Sequence, residues 1–123
     1  MELILHILLE LHPSMTPNEI VLEKKVYLPF IPMEGSFEGT SSTLELCDPF
    51  TQMRDYTISW VRYVEDDDGT FCPPILHLTE KEDPNSEGAL YKIFAESNEE
   101  IGRKAFQEYR TFMEKRGWEF IPA

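Results

Sequence analysis

A chain of 123 residues with 41% hydrophobic and 12% aromatic side chains can bury a core and is too apolar to stay disordered, so one domain over residues 1–123 is expected. Its formal charge of −12, from 23 acids against 11 bases, excludes binding to nucleic acid or anionic membranes, which takes clustered Lys and Arg. No stretch reaches the ~18 apolar residues of a membrane-spanning helix. The N-terminal segment lacks a basic start and a small-residue cleavage site, and Glu2, His6 and Glu10 interrupt it, so it does not read as a secretion signal. Cys47 and Cys72 form neither a C-x-x-C unit nor a disulfide framework, which places the protein in the cytoplasm with reduced thiols.

Residues 3 to 11 alternate with period two. Leu3, Leu5, Ile7, Leu9 and Leu11 share one face, and Glu2, Ile4, His6, Leu8, Glu10 and His12 share the other, which predicts a strand. Pro13 to Asn18 is a turn, and Glu19 to Phe30 is a second strand with Ile20, Leu22, Val26, Leu28 and Phe30 on one face and Lys24 as the exception. The short link between the two strands predicts an antiparallel hairpin.

Pro29, Pro32, Gly35 and Gly39 punctuate an irregular stretch, followed by a short strand at Thr43–Cys47. Asp48-Pro49 opens a second irregular piece with the chemistry of a single helical turn, Asp as cap and Pro at the first position. Phe30, Met33, Phe37, Phe50 and Met53 give this 29–53 region unusual apolar mass, which either tucks back as a plug or forms a binding patch.

Tyr56 to Val64 has the aromatic and β-branched content of a central strand, with Tyr56, Ile58, Trp60 and Val64 on one face. Asp68-Gly69 is a hairpin signal, and Ile75 to Thr79 is the returning strand. Pro73-Pro74 lacks two ladder donors and marks that side as an edge or a bulge. After a polar loop, Ala89 to Ala95 reads as another strand.

Residues 98–116 read as a long amphipathic helix. Ser97 and Glu100 have capping-box spacing. Ile101, Ala105, Phe106, Tyr109, Phe112 and Met113 form the apolar stripe, and Glu99/Arg103, Glu100/Lys104 and Arg110/Glu114 are spaced as i,i+4 pairs. Gly117 has the freedom to end the helix, and Trp118 to Ile121 resumes an extended pattern. Phe106, Phe112, Trp60 and Trp118 all fall on predicted inward stripes and are expected in the core.

Motifs of catalysis are absent from the sequence. Gly35 to Gly39 has its serine one place early for a nucleophile elbow. Aligning Gly69 with the invariant glycine of a calcium loop puts Val64 and Ile75 at ligand positions, so the acids at 65–68 read as a solvated tip. His6 and Glu10 lie about 13 Å apart along a strand, too far to share a metal, which leaves Glu10 with His12, joined by His77 from elsewhere, as the open combination. A half-buried His6 satisfied by one hydrogen bond is expected, and no cofactor is implied.

The expected architecture is α+β: a mainly antiparallel, curved sheet of five to seven strands, one long helix over residues 98–116 packed on it, and a short final strand. The helix carries +1 and the remainder −13, with the acids concentrated at Glu65 to Asp68 and in the 80–87 segment. That segregation points to a non-catalytic acidic binding or inhibitor-type module for a basic protein partner, with Asp66, Asp67 and Asp68 steering and the 29–53 apolar residues anchoring. The alternative is a small apolar ligand held between the curved sheet and the helix.

Overall fold

The computed structural model describes residues 1–32, 43–81 and 88–123. Among these, six strands form one sheet: β1 (Glu2–Glu10), β2 (Glu19–Tyr27), β3 (Thr43–Asp48), β4 (Gln52–Arg62), β5 (Ile75–Glu80) and β6 (Glu119–Pro122). A π-helical segment (Lys92–Glu96) and the sixteen-residue helix α1 (Glu99–Glu114) precede β6. The spatial order is β3-β4-β5-β1-β2-β6, antiparallel throughout except for the parallel pair β1/β5. The fold is therefore α+β, as the pattern of elements predicts.

The β1–β2 hairpin follows directly from the alternation. Leu3, Leu5, Ile7, Leu9 and Leu11 are all buried, and in register they meet the inward residues of β2, with Ile7 opposite Leu22 and Leu9 opposite Ile20. The Lys24 exception is resolved by its reach: its stem lies on the inner face and its ammonium sits 5.9 Å from the centre of the Trp118 ring.

β5 pairs with β1 on one side and β4 on the other, so it is a central strand. Pro73-Pro74 does not mark an edge. Both prolines precede the strand, and the Pro74 carbonyl accepts a 2.9 Å bond from the Ile4 N–H. The irregularity lies instead in β4, where the register jumps from Ile58↔Leu78 to Trp60↔His77 and leaves Ser59 as an extra residue. Its hydroxyl donates to the His77 carbonyl at 3.0 Å. That bulge inverts the alternation, so Val61 turns inward and Trp60 turns out, 46% exposed. Trp60 is thus a surface residue, contrary to the period-two reading.

Two more local expectations give way. Residues 90–96 are helical rather than extended, which lets Leu90 and Phe94, four apart, both enter the core. Asp48-Pro49 forms a hairpin turn instead of a helical one. The Asp48 carboxylate accepts from the Phe50 and Thr51 N–H groups at 2.9 and 3.2 Å, and Gln52 returns the chain with a φ of 69°.

α1 starts at Asn98, whose side chain accepts from the Ile101 N–H at 2.9 Å. Ser97 is not the cap; its hydroxyl bonds back to the Ile93 carbonyl at 2.5 Å. The helix ends in a Schellman arrangement: Trp118 N–H to Met113 O at 3.2 Å and Gly117 N–H to Glu114 O at 3.1 Å, with Gly117 at φ 90°. Phe106, Tyr109 and Met113 are buried on the sheet side, whereas Ile101 is 57% exposed, because Gly102 takes the inward position one residue later. α1 lies on the inner face and contacts β3 at one edge of the sheet and β6 at the other. The space between is filled by an aromatic cluster, with Phe94 5.3 Å from Tyr109 and 5.8 Å from Phe106, and Phe120 5.9 Å from Phe106.

Candidate functional site

One buried polar centre lies on the inner face. Arg54 of β4 grips Asp48 of β3 through two parallel bonds of 2.9 and 3.1 Å, and also donates to Glu80 of β5 at 2.6 Å and to the Gly88 carbonyl at 2.7 Å. Burial alone lowers the pKa of the guanidinium, but Asp48 and Glu80 more than offset that and hold it above its ordinary range. Glu80 also accepts from the Leu90 N–H at 3.2 Å. Each of the three guanidinium nitrogens of Arg54 is thus hydrogen-bonded within the fold, and the cluster ties four segments together. Beside it, burial raises the phenol pKa values of Tyr56 and Tyr109 above their ordinary range.

The outer face carries a transverse row of unusual composition: Trp60, His77, His6 and Glu23, from β4, β5, β1 and β2, in register. The Trp60 and His77 rings stack with centroids 3.9 Å apart and planes 4° apart. The His77 and His6 rings meet edge to face at 5.4 Å, and His6 Nε2 lies 2.8 Å from Glu23 Oε1. Arg62, two residues on from Trp60, sits 5.7 Å from the indole centre. The single hydrogen bond expected for His6 is thus present. His77 Nε2 is buried with no hydrogen-bond partner among the described residues, and burial, together with the nearby His6 and Arg62, lowers its pKa below the ordinary value. Glu10 does not belong to this row.

Beyond the end of β4, the hairpin continues past the rows shared with β1, closing at the Glu65↔Phe71 bridge. Asp66 N–H donates to Thr70 O at 2.6 Å and Gly69 N–H to Asp66 O at 3.0 Å, with Gly69 at φ 85°, the left-handed region that favours glycine. The Asp68 carboxylate accepts from both the hydroxyl and the N–H of Thr70, which holds its pKa below the usual value. Asp66, Asp67 and Asp68 are exposed, and they sit among exposed apolar residues: Tyr63, Val64 and Phe71.

Of the apolar residues singled out in the 29–53 region, the three that are described occupy different places. Phe30 is 65% exposed just past β2, and Met53 is 46% exposed within β4. Phe50 packs into the aromatic cluster, 6.2 Å from both Phe94 and Tyr109. Met33 and Phe37 lie outside the described residues. Trp60 and Phe71 are among the exposed aromatics that the sequence pattern does not reveal. The signal for Trp60 was an outward bulge, which no propensity encodes; the signal for Phe71 was its place two residues past Gly69.

A surface groove of about 440 Å³ runs along α1, lined by Met15, Arg103, Phe106, Gln107, Arg110, Thr111 and Glu114. Its two arginines are paired within the helix, Arg103 with Glu99 at 3.1 Å and Arg110 with Glu114 at 2.9 Å. Among the described residues no group of three or more His, Cys, Asp or Glu could hold a metal ion, and no helix is long and apolar enough to cross a membrane. Cys47 and Cys72 are free thiols. Comparison of the chain with protein-family models, curated proteins and solved structures finds no match.

Proposed function

We propose that this protein is a non-catalytic binding module for a basic protein partner, engaged through the tip of the β4–β5 hairpin. The observation that carries the reading is the juxtaposition at that tip of three consecutive exposed carboxylates with exposed Tyr63 and Phe71. Outside residues 98–116 the chain carries −13, so a cationic surface is drawn in at long range and then meets an apolar anchor at contact. Rim charge acts mainly on the association rate and a buried aromatic on the lifetime of the complex.

The test is capture from a lysate of the producing cells at low salt, with partners identified by mass spectrometry and association followed on the purified pair. Replacing Asp66, Asp67 and Asp68 by Asn removes charge but leaves an oxygen at Asp68 to accept from Thr70, so the turn survives. Association should slow by about tenfold and lose most of its salt dependence. Phe71→Ala should speed dissociation at an unchanged association rate. If no basic protein is retained by the wild type and lost by both variants, the reading fails.

A further inference from the structure

A second surface departs from what a two-layer α+β fold requires. When helices cover a sheet on one face, the strands read apolar-in and polar-out. β2 and β4 come close to that rule, but the central parallel pair does not. β1 is apolar throughout its inner face, and on its outer face Ile4 and Leu8 alternate with Glu2, His6 and Glu10. Leu8 is 61% exposed. In the adjoining strands its row continues through Val21 of β2 to Ile121 of β6, which is 38% exposed. Trp60, 46% exposed, closes the far side of the patch. The inner face is covered by α1; on the outer face Ile75 and His77 Nε2 are buried, whereas Leu8, Ile121 and Trp60 are exposed.

The charges around the patch select its occupant. The Leu8–Val21–Ile121 row is bounded on one side by Glu119 and by Glu23, which His6 engages at 2.8 Å, and on the other by the exposed Glu10 and Glu19; the cations of this face, Arg62 beside Trp60 and Lys25 beside Ile4, lie outside these rows. Successive rows on one face are about 7 Å apart. A second copy laid face to face would bring carboxylates against carboxylates between two chains of charge −12, which costs energy at every rim contact. An apolar ridge flanked on both sides by cations matches instead, and an amphipathic helix with Lys and Arg beside its apolar stripe has that form at that width. α1 already shows that the opposite face of this sheet accepts a helix.

We infer that the outer face of the sheet, centred on Leu8, Val21 and Trp60, is a docking site for a Lys/Arg-flanked amphipathic helix of the partner protein. This rests on the basic-partner reading above and adds to it a second contact surface and the partner's secondary structure there.

Trp60 makes the inference testable before a partner is in hand. The other tryptophan, Trp118, is only 5% exposed, so a change in indole emission on binding reports on the outer face. The probe is a fifteen-residue helical peptide of Leu and Lys, with a Leu/Glu peptide of the same pattern as control. The Leu/Lys peptide should give a saturable 1:1 blue shift, and amide shift changes should map to β1, β2 and β4. Leu8→Ser, which alters no charge at an exposed position, should weaken binding about tenfold, and Ile121→Ser at the sheet edge should weaken it less; circular dichroism verifies that both fold. Absence of a saturable shift overturns the docking site, as does equal binding of the Leu/Glu peptide. Shift changes confined to residues 65–72 overturn it while leaving the hairpin-tip reading standing. A wild-type dimer in sedimentation that Leu8→Ser dissociates would also overturn it, because a second copy would then be the occupant.

Discussion

At the scale of single residues, environment rather than residue type decides behaviour. His6 and His77 lie side by side, yet His6 has a carboxylate at 2.8 Å and His77 has an indole face, a neighbouring imidazole and a nearby guanidinium. The groups facing His77 from the flanking strands are Trp60 and Arg62 on β4 and His6 on β1, backed by Glu23 on β2. Burial first, then His6 and Arg62, depress its pKa, so the folded protein favours the neutral ring. A histidine with a depressed folded pKa contributes stability that is present above the unfolded value of about 6.5 and is lost as pH falls below it. Melting temperature should therefore drop between pH 7 and pH 5, and His77→Gln should remove part of that slope. Identical slopes in the two proteins would show that His77 does not contribute to the acid limb. Gly102 is a second case. Alanine normally gains ~1 kcal/mol over glycine inside a helix. Here an added Cβ would stand 2.7 Å from the Phe94 carbonyl oxygen, where the π-helical segment crosses α1. Gly102→Ala should therefore destabilise by about 1–3 kcal/mol, the usual cost of overpacking, read as a fall in the denaturation midpoint.

At the scale of elements, the α1–sheet interface has a centre and a margin. Phe106 is 4% exposed and touches Phe94 and Phe120, whereas Phe112 is half-buried, with the Arg116 guanidinium 4.7 Å from its ring centre. Phe106→Ala should cost about 3–5 kcal/mol through lost transfer energy and a residual cavity. Phe112→Ala should cost clearly less, because its site is open to solvent and leaves no closed void. Thermal melts of both variants check the order, and an equal loss would mean that α1 docks further round than its buried residues indicate. The stripe was legible from the sequence because helical period and burial agree at Phe106, Tyr109 and Met113. Ile101 broke it because a glycine, invisible to a hydrophobic pattern, occupies the tightest contact.

At the scale of the whole molecule, Arg54 joins parts that are distant in sequence. It links β3, β4, β5 and the Gly88 carbonyl, and Glu80 carries the link on to Leu90. Removing one partner of a buried pair leaves the other charged and unpaired, so Arg54→Met should cost about 3–5 kcal/mol. Pairing it with Asp48→Asn should recover part of that loss, since the orphaned charge goes while an amide oxygen still accepts from the Phe50 and Thr51 N–H groups. A double variant no more stable than the single one would mean that Glu80 and the Gly88 carbonyl, not Asp48, carry the tie. The acid that turns the β3–β4 hairpin also holds the arginine that ties it to Glu80 of β5.

What the sequence determined by itself was whatever depends on neighbours along the chain. The β1–β2 hairpin, the Asp68-Gly69 turn, the stop at Gly117 and the class of the fold follow from period, turn chemistry and backbone freedom, all of them local. The tertiary structure decided the rest. That β5 inserts beside β1 in parallel is a choice between partners of equal apolarity, and no local signal ranks them. The bulge at Ser59 shifts alternation by one residue and moves Trp60 from the core to the surface, because a period-two pattern inverts completely on a single insertion. Residues 90–96 fold as helix because the core they enter needs Leu90 and Phe94 on one side, a demand set by distant strands. The outer-face patch follows the same logic: its apolar residues were visible one strand at a time, and only the strand order placed Leu8, Val21, Ile121 and Trp60 on one surface.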